Sequence, residues 1–184
     1  MLENNGSFIE KTITTVADLN IIFRELIGDF MHKLYYDSAK DEYIDREHDG
    51  LILKSNKKHT GSSHDAENPL TQFNEELARD YIMRDLFLWA ILMNYIDMAK
   101  VLLSFMKYRI CPALIASKIL KAYEAQTAAS DKQDQYKTDA TYFEQYAIDC
   151  VDYCDDIDVD KTFEIILQRN EVYGYVTCAQ VNLN

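Results

Sequence analysis

The chain has 184 residues, of which 48% are hydrophobic and 12% aromatic, so it can bury a core and is not a disordered or low-complexity chain. Five glycines and two prolines are too few for the many turns of a β-sandwich or barrel. The formal net charge of −12, with no basic stripe, excludes nucleic acid as an expected partner and disfavours an anionic membrane surface.

The first predicted helix lies within residues 1–36. Residues 37–72 are polar, contain three of the four histidines and show no period, so we predict a disordered loop that ends near Pro69. Histidines in such a loop lack the rigid frame that a metal or catalytic site needs. The first helix has one apolar stripe at helical spacing, formed by Leu19, Ile22, Phe23, Leu26, Ile27 and Phe30.

An apolar block follows at residues 82–106. Its run Leu86–Met93 has no polar residue, which on a helix predicts burial on every side, with Trp89 as a core anchor. The alternative for Trp89 is a place at an interface, where aromatic side chains are enriched. The run is 8 residues long, against about 20 needed to cross a bilayer, so we predict protein core. After a turn at Asn94 and Asp97, a second stripe comprises Met98, Val101, Leu102 and Phe105.

Two more helices are predicted on either side of a polar linker at residues 126–137. The first begins at Cys111-Pro112, because proline fits the first helical turn, and it has an apolar face of Ile115, Ile119 and Ala122. Thr141 and Glu144 have the spacing of a capping box, which predicts a helix start after the linker. The stripe of this later helix comprises Phe143, Tyr146, Ala147, Cys150, Val151 and Cys154.

The last predicted helix is capped by Asp158. Its apolar face comprises Val159, Thr162, Phe163, Ile166 and Leu167. Five or six short helices therefore occupy residues 84–184. The pattern predicts an all-α fold, a stack of short antiparallel helical hairpins with one long polar loop.

The acidic segment near Asp156 partly matches the pattern of a calcium-binding loop. Asp156, Asp158 and Asp160 match the first, third and fifth positions of an EF-hand. Lys161 stands where the sharp turn needs glycine, and Leu167 where the loop needs a bidentate glutamate. We therefore predict a solvated turn with helix caps. Charge is uneven around it, with a net +4 over residues 84–123 and −9 over residues 124–171.

The four cysteines are too sparse for a disulfide scaffold and predict free thiols in a reducing compartment. Cys150 and Cys154 lie one helical turn apart, and they are either two core thiols or half of a zinc site. No second ligand pair has usable spacing, which favours core thiols. No phosphate loop, nucleophile elbow or Ser-x-x-Lys pattern occurs. The sequence predicts no catalytic residue, no metal, no cofactor and no enzyme activity.

Four segments of the chain form a recognisable set of motifs: Arg84-Asp-Leu-Phe-Leu-Trp-Ala-Ile-Leu-Met-Asn94, Ala113-Leu-Ile-Ala-Ser-Lys-Ile-Leu-Lys-Ala122, Phe143-Glu-Gln-Tyr-Ala147 and Gly174-Tyr-Val-Thr-Cys178. In these segments the chain resembles the cytoplasmic pre-membrane region of melastatin-type transient receptor potential (TRPM) cation channels. Tyr173 stands where the family has tryptophan. The resemblance implies that residues 73–184 are a helical-repeat domain of TRPM type and that residues 1–36 are an N-terminal linker helix.

The resemblance also implies a function without catalysis. Such a region is a helical scaffold that couples N-terminal domains and neighbouring subunits to the pore of a non-selective or calcium-permeable channel. It implies a homotetramer in the plasma membrane, with this part on the cytoplasmic side. The membrane is reached only through a C-terminal pore unit outside these residues, so the segment is not itself conductive.

Nine residues are predicted to lie in the core or at subunit contacts: Leu86, Phe87, Trp89, Ala90, Leu102, Phe143, Tyr146, Cys150 and Phe163. The alternative function is a stand-alone acidic helical adaptor that binds a partner protein in its groove. The scaffold hypothesis predicts exposed apolar surface, and the adaptor hypothesis predicts a monomer with polar capping helices.

Overall fold

The computed structural model describes residue 15, residues 18–35 and residues 69–183. The elements in chain order are α1 (Leu19–Leu26), α2 (Pro69–Leu92), α3 (Ile96–Phe105), α4 (Ile110–Gln126), α5 (Ser130–Ile157), α6 (Val159–Leu167), a 3-10 turn (Glu171–Tyr173) and α7 (Cys178–Leu183). No strand occurs in this part of the chain, and only Asn170 and Val176 form an isolated antiparallel bridge. The predicted all-α fold is confirmed.

The division into domains stays a prediction, because residues 36–68 lie outside the described part of the chain. Helix α2 begins at Pro69, where the sequence predicted that the polar loop ends. The last four residues of the predicted 37–72 loop are therefore helical. In α1, the side chains of Ile22, Phe23 and Leu26 are buried, as the stripe predicted.

Helix α4 lies at the centre of the fold. It packs against α5 more extensively than any other helix pair of the described residues, and it also contacts α7, α2 and α1. The three residues between α4 and α5 make the two helices antiparallel neighbours. The predicted apolar face of α4 is therefore too narrow. Its buried residues surround the helix axis and are Ile110, Cys111, Pro112, Ala113, Ile115, Ala116, Ser117, Ile119 and Leu120.

Helix α5 corrects two predictions about residues 126–144. The predicted linker is helical from Ser130 onward, and Thr141 lies inside the helix, where its hydroxyl donates to the carbonyl oxygen of Lys137 at 2.8 Å. No capping box forms. The reason is tertiary, because Tyr136 and Ala140 are buried and the Tyr136 ring packs edge-on against Tyr123 of α4. Packing of one face stabilises a segment whose other faces are polar.

The turns between the later helices follow local chemistry. The carboxylate of Asp158 accepts a hydrogen bond from the Lys161 backbone N–H at 3.0 Å, which confirms the predicted cap of α6. Asn94 forms the predicted turn between α2 and α3 with a φ of 59°. Gly174 has a φ of 70°, and a β-carbon at that position would lie 2.6 Å from the carbonyl oxygen of His32. Only glycine fits this close approach.

Candidate interaction surfaces

A buried arginine ties three distant segments together. Arg84 is 4% exposed, and its Nη1 donates to the carbonyl oxygen of Val172 at 2.8 Å. Its Nε and Nη2 reach Oδ1 of Asp85 at 2.8 and 2.7 Å. The guanidinium carbon also lies over the rings of Tyr35 and Tyr81, 5.1 and 5.0 Å from their centroids. Because each of these partners stabilises the cation, its burial is compensated and the site is structural.

The tyrosine of this cluster anchors the segment after α1. The hydroxyl of Tyr35 donates to Oδ1 of Asp85 at 2.9 Å, and burial, with this hydrogen bond second, raises the pKa of Tyr35 well above its usual value. The side chain of Asn20 accepts from the backbone N–H groups of Leu34 and Tyr35. The one signal for this cluster in the sequence is an arginine inside an apolar block, which helical periodicity alone does not connect to a partner.

The α3 face is the first exposed apolar surface. We use this name for the exposed side chains of Trp89, Met93, Tyr95, Met98, Val101 and Phe105. The rings of Trp89 and Tyr95 pack at a centroid distance of 5.3 Å. The cation of Lys100 lies 4.4 Å from the centroid of the Tyr142 ring beside this face. The surface therefore combines large apolar side chains with one neighbouring lysine.

The α3 face corrects the predicted burial of the apolar block. Phe87, Leu88, Ala90 and Ile91 are buried, whereas Trp89 is 46% exposed and Leu86 and Met93 are exposed as well. In α3 the buried residues are Ala99 and Leu103, so most of the predicted stripe points outward. The helices contact the core through one side only. A helix that is apolar on all sides is expected to be covered on all sides. Within the described residues, these helices are covered on one side only.

The α6 face is the second exposed apolar surface. We define it as the exposed side chains of Tyr153, Ile157, Val159, Phe163 and Leu167. The predicted stripe of α6 is present, yet only Thr162 of that stripe is buried, while Phe163 is 60% exposed. Six carboxylates and one lysine occupy residues 152–164. This face is therefore apolar with an acidic rim.

The nine predicted core or contact residues divide into three groups. Phe87, Ala90 and Phe143 are fully buried. The rings of Phe87 and Phe143 pack edge-on at a centroid distance of 6.3 Å. Three more are partly buried against the core: Leu102, Tyr146 and Cys150. The remaining three are exposed: Leu86, Trp89 of the α3 face and Phe163 of the α6 face. Whether these three make subunit contacts stays a prediction.

A cleft of about 790 Å³ lies between α2, the start of α4, α5 and the C-terminal segment. All four cysteines line it, with Cys111 and Cys178 buried and Cys150 and Cys154 partly buried. Burial raises the pKa of the Cys150 thiol. Among the residues that the structure describes, no three His, Cys, Asp or Glu side chains are placed to hold a metal ion. The cleft is a thiol-lined cavity.

The helices of the described ranges include none with the length and apolar character required to cross a bilayer.

The chain is similar in sequence to known cation channels. The rat transient receptor potential cation channel subfamily M member 2 is 26% identical over 175 residues, which cover 88% of this chain and 11% of the relative. The human subfamily M member 5 is 31% identical over 100 residues, or 52% of this chain and 8% of the relative.

The transient receptor potential cation channel subfamily M member-like 2 of Nematostella vectensis is 29% identical over 169 residues, which cover 87% of this chain and 10% of the relative. The chain thus spans about a tenth of the length of the curated relatives that it matches. The family model described as "TRPM2-like domain" matches residues 4–184, nearly the whole chain. The chain therefore belongs to the TRPM2-like domain family and corresponds to a segment of TRPM channels.

Proposed function

We propose that this chain is the cytoplasmic helical scaffold segment of a TRPM-type cation channel in the plasma membrane. In this proposal the α3 face and the α6 face are covered by other domains of the same subunit and by neighbouring subunits of a homotetramer. The segment transmits rearrangements of N-terminal domains to the pore by helix packing and performs no catalysis. A non-selective or calcium-permeable pore belongs to other parts of the channel polypeptide.

The observation that carries the proposal is the pair of exposed apolar faces. Eleven large apolar side chains of the two faces are exposed, from Trp89 at 46% to Tyr153 at 70%. Contiguous apolar patches of this kind on a folded domain mark contact sites, because leaving them in water is unfavourable. The curated relatives are channels about ten times longer than the match, so ample chain is available to cover both faces.

The two faces differ in charge, which supports contacts with two different surfaces. Residues 89–105, which carry the α3 face, contain one acidic and one basic residue, Asp97 and Lys100, whereas residues 152–164 around the α6 face contain six carboxylates and one lysine. A closed ring of identical subunits uses heterologous contacts, in which each subunit presents two unlike surfaces to its two neighbours. The acidic rim of the α6 face would favour a basic counterpart on the neighbouring surface.

The adaptor hypothesis is the second candidate, and the acidic rim of the α6 face favours it. An acidic apolar surface is suited to a basic amphipathic helix of a partner. The exposed apolar side chains of both faces argue against this hypothesis, because it predicts a chain that is stable as a monomer. The scaffold hypothesis therefore accounts for more of the surface.

Two substitutions test the proposal. Phe105→Ser on the α3 face and Phe163→Ser on the α6 face should each change the stability of the isolated chain by no more than about 0.5 kcal/mol, since both side chains are exposed. We expect each to lower binding of a hydrophobic dye and self-association in sedimentation. In the full-length polypeptide each should reduce tetramer assembly or current. Gln133→Ser, at an exposed polar position of α5 outside both faces, is the matched control and should change none of these.

Sequencing the complete transcript beyond the codon for Asn184 separates the two candidates. Six apolar spans of about 20 residues each would support the channel scaffold. A stop codon in an abundant message, together with a monodisperse chain that binds no hydrophobic dye, would overturn it in favour of the adaptor.

A further inference from the structure

Two thiols meet where α7 packs against α4. Cys111 is the second residue of α4 and Cys178 is the first residue of α7, and the two helices pack against each other. The two thiols are near enough for each to shift the pKa of the other. The exposed fractions are 3% for Cys111 and 7% for Cys178. The same two helices are joined further along by Lys118, whose Nζ donates to the carbonyl oxygen of Val181 at 3.4 Å. The thiol pair thus lies at a defined helix contact.

The pair is also accessible to small molecules. Both cysteines line the cleft of about 790 Å³, whose other walls include Tyr146, Ile165 and Val172. The cleft is large enough for a reagent of a few heavy atoms. Oxidation of these thiols therefore does not require α7 to unfold.

The environment makes the two thiols chemically unequal. The neighbouring Cys111 side chain lowers the pKa of Cys178. The neighbouring Cys178 side chain, with burial second, raises the pKa of Cys111. Since the thiolate is the nucleophile in thiol–disulfide exchange, Cys178 attacks first and Cys111 second.

We propose that Cys111 and Cys178 form a redox-active dithiol, a modification site that a low-molecular-weight disulfide converts to an intramolecular disulfide. The Cys178 thiolate attacks one sulfur of the small disulfide, forms a mixed disulfide and releases the first small thiolate. Cys111 then loses its proton and attacks the Cys178 sulfur, which forms the Cys111–Cys178 bond and releases the second small thiolate. The protein loses two hydrogens and the reagent is reduced to two thiols.

The bond would fasten the start of α7 to the start of α4. The turn before α7 also contains Gly174, whose carbonyl oxygen accepts a hydrogen bond from the His32 backbone N–H at 3.1 Å. The disulfide would therefore also restrain the contact between this turn and the segment after α1. Cysteines in reducing compartments that form disulfides do so transiently, as switches. This inference is independent of the channel scaffold, since it needs only the fold.

Cys150 and Cys154 provide the internal control. They line the same cleft but lie one turn apart on α5, where a bond between them would distort a regular helix. We expect the same reagent to leave this pair reduced. This comparison distinguishes reactivity that depends on the Cys111–Cys178 pairing from reactivity that depends only on lining the cleft.

The experiment oxidises the folded 184-residue chain with bis(2-hydroxyethyl) disulfide, then denatures and alkylates it. Alkylation should fall from four labels to two, and dithiothreitol should restore four. Digestion with trypsin shows which cysteines are joined. Cys111 lies in peptide 110–118, Cys178 lies in peptide 170–184, and Cys150 and Cys154 both lie in peptide 138–161. The expected product joins 110–118 to 170–184.

Variants establish which thiols react. Cys111→Ser should stop the reaction at a mixed disulfide on Cys178, and Cys178→Ser should leave Cys111 unreacted over the same time. The double variant Cys150→Ser, Cys154→Ser should form the bond as the parent chain does. Circular dichroism checks that each variant is folded. Retention of four labels by the parent chain, an oxidised peptide 138–161 as the main product, or a bond between two chains would each overturn the proposal, and these outcomes require no variant.

Discussion

Helices α4 and α6 have opposite relations between sequence pattern and burial. The α6 sequence has a clean apolar stripe, yet Phe163 and Leu167 of that stripe are 60% and 61% exposed. The α4 sequence shows only a narrow predicted face, yet the helix is buried on nearly every side. The difference teaches that an amphipathic stripe identifies a face that needs a partner, whereas the partner itself is set by the surrounding chain.

The physical reason lies in the number of neighbours. α4 is contacted by α1, α2, α5 and α7, so even its small residues, such as Ala113 and Ala116, are covered. α6 packs mainly against α5 and α7, and less extensively than α4 packs against α5. Burial of a side chain depends on helices that come from distant parts of the chain, which periodicity within one helix cannot report.

The largest expected effect is the loss of a buried side chain from α4. Ile119→Ala removes a side chain with no exposed surface and should lower the free energy of unfolding by about 2–5 kcal/mol, through lost burial and the cavity that remains. Leu167→Ala on α6 should change it by less than about 0.5 kcal/mol. Urea unfolding followed by circular dichroism measures both. Equal losses for the two variants would contradict the comparison.

The second prediction concerns a defect inside α4. Ser117 Oγ is buried and has no hydrogen-bond partner, the one such side-chain atom among the residues that the structure describes. Ser117→Ala removes an uncompensated polar group and should stabilise the chain by about 1 kcal/mol. Ser104→Ala is the matched control, because that hydroxyl is exposed and donates to the carbonyl oxygen of Val101. A destabilised Ser117→Ala chain would show that the hydroxyl has a partner in solution.

The smallest effect is a dependence of stability on alkaline pH. Burial, with the nearby Tyr136 second, raises the pKa of Tyr123 to about 12 from the usual 10. Because the folded state keeps this proton longer than the unfolded state, the contribution is complete below pH 10 and is lost progressively between about pH 10 and 12. Denaturant titrations of the parent chain and of Tyr123→Phe should diverge in that range. Parallel curves would exclude a raised pKa at this position.

The helices were largely predictable because their signals are local. Helical spacing identified α1, the turn at Asn94 separated α2 from α3, and Asp158 capped α6 as expected. The linker and the capping box near Thr141 were wrong because the side chains of Tyr136 and Ala140 gain burial against α4, a contact with a distant segment. The resemblance to TRPM channels rested on short apolar motifs and is confirmed by the family match.

The candidate surfaces were less predictable. The sequence left Trp89 and Phe163 open between the core and a contact surface, because an apolar residue has the same pattern whether its partner belongs to the same domain or to another. Arg84 could be noticed as a charge in an apolar block, but its three partner segments could not be inferred. The Cys111–Cys178 contact joins residues that are far apart in the chain, so spacing gave no signal for it.

The sequence by itself therefore determined the all-α class, most helix positions, the acidic balance and the family, since these follow from local spacing, composition and motifs. Tertiary structure decided which side of α2, α3 and α6 is buried, that α5 is continuous from Ser130, and that Cys178 meets Cys111. Each of these depends on contacts between segments distant in sequence. The free energy of burial depends on what covers a side chain, and only the folded arrangement specifies that cover.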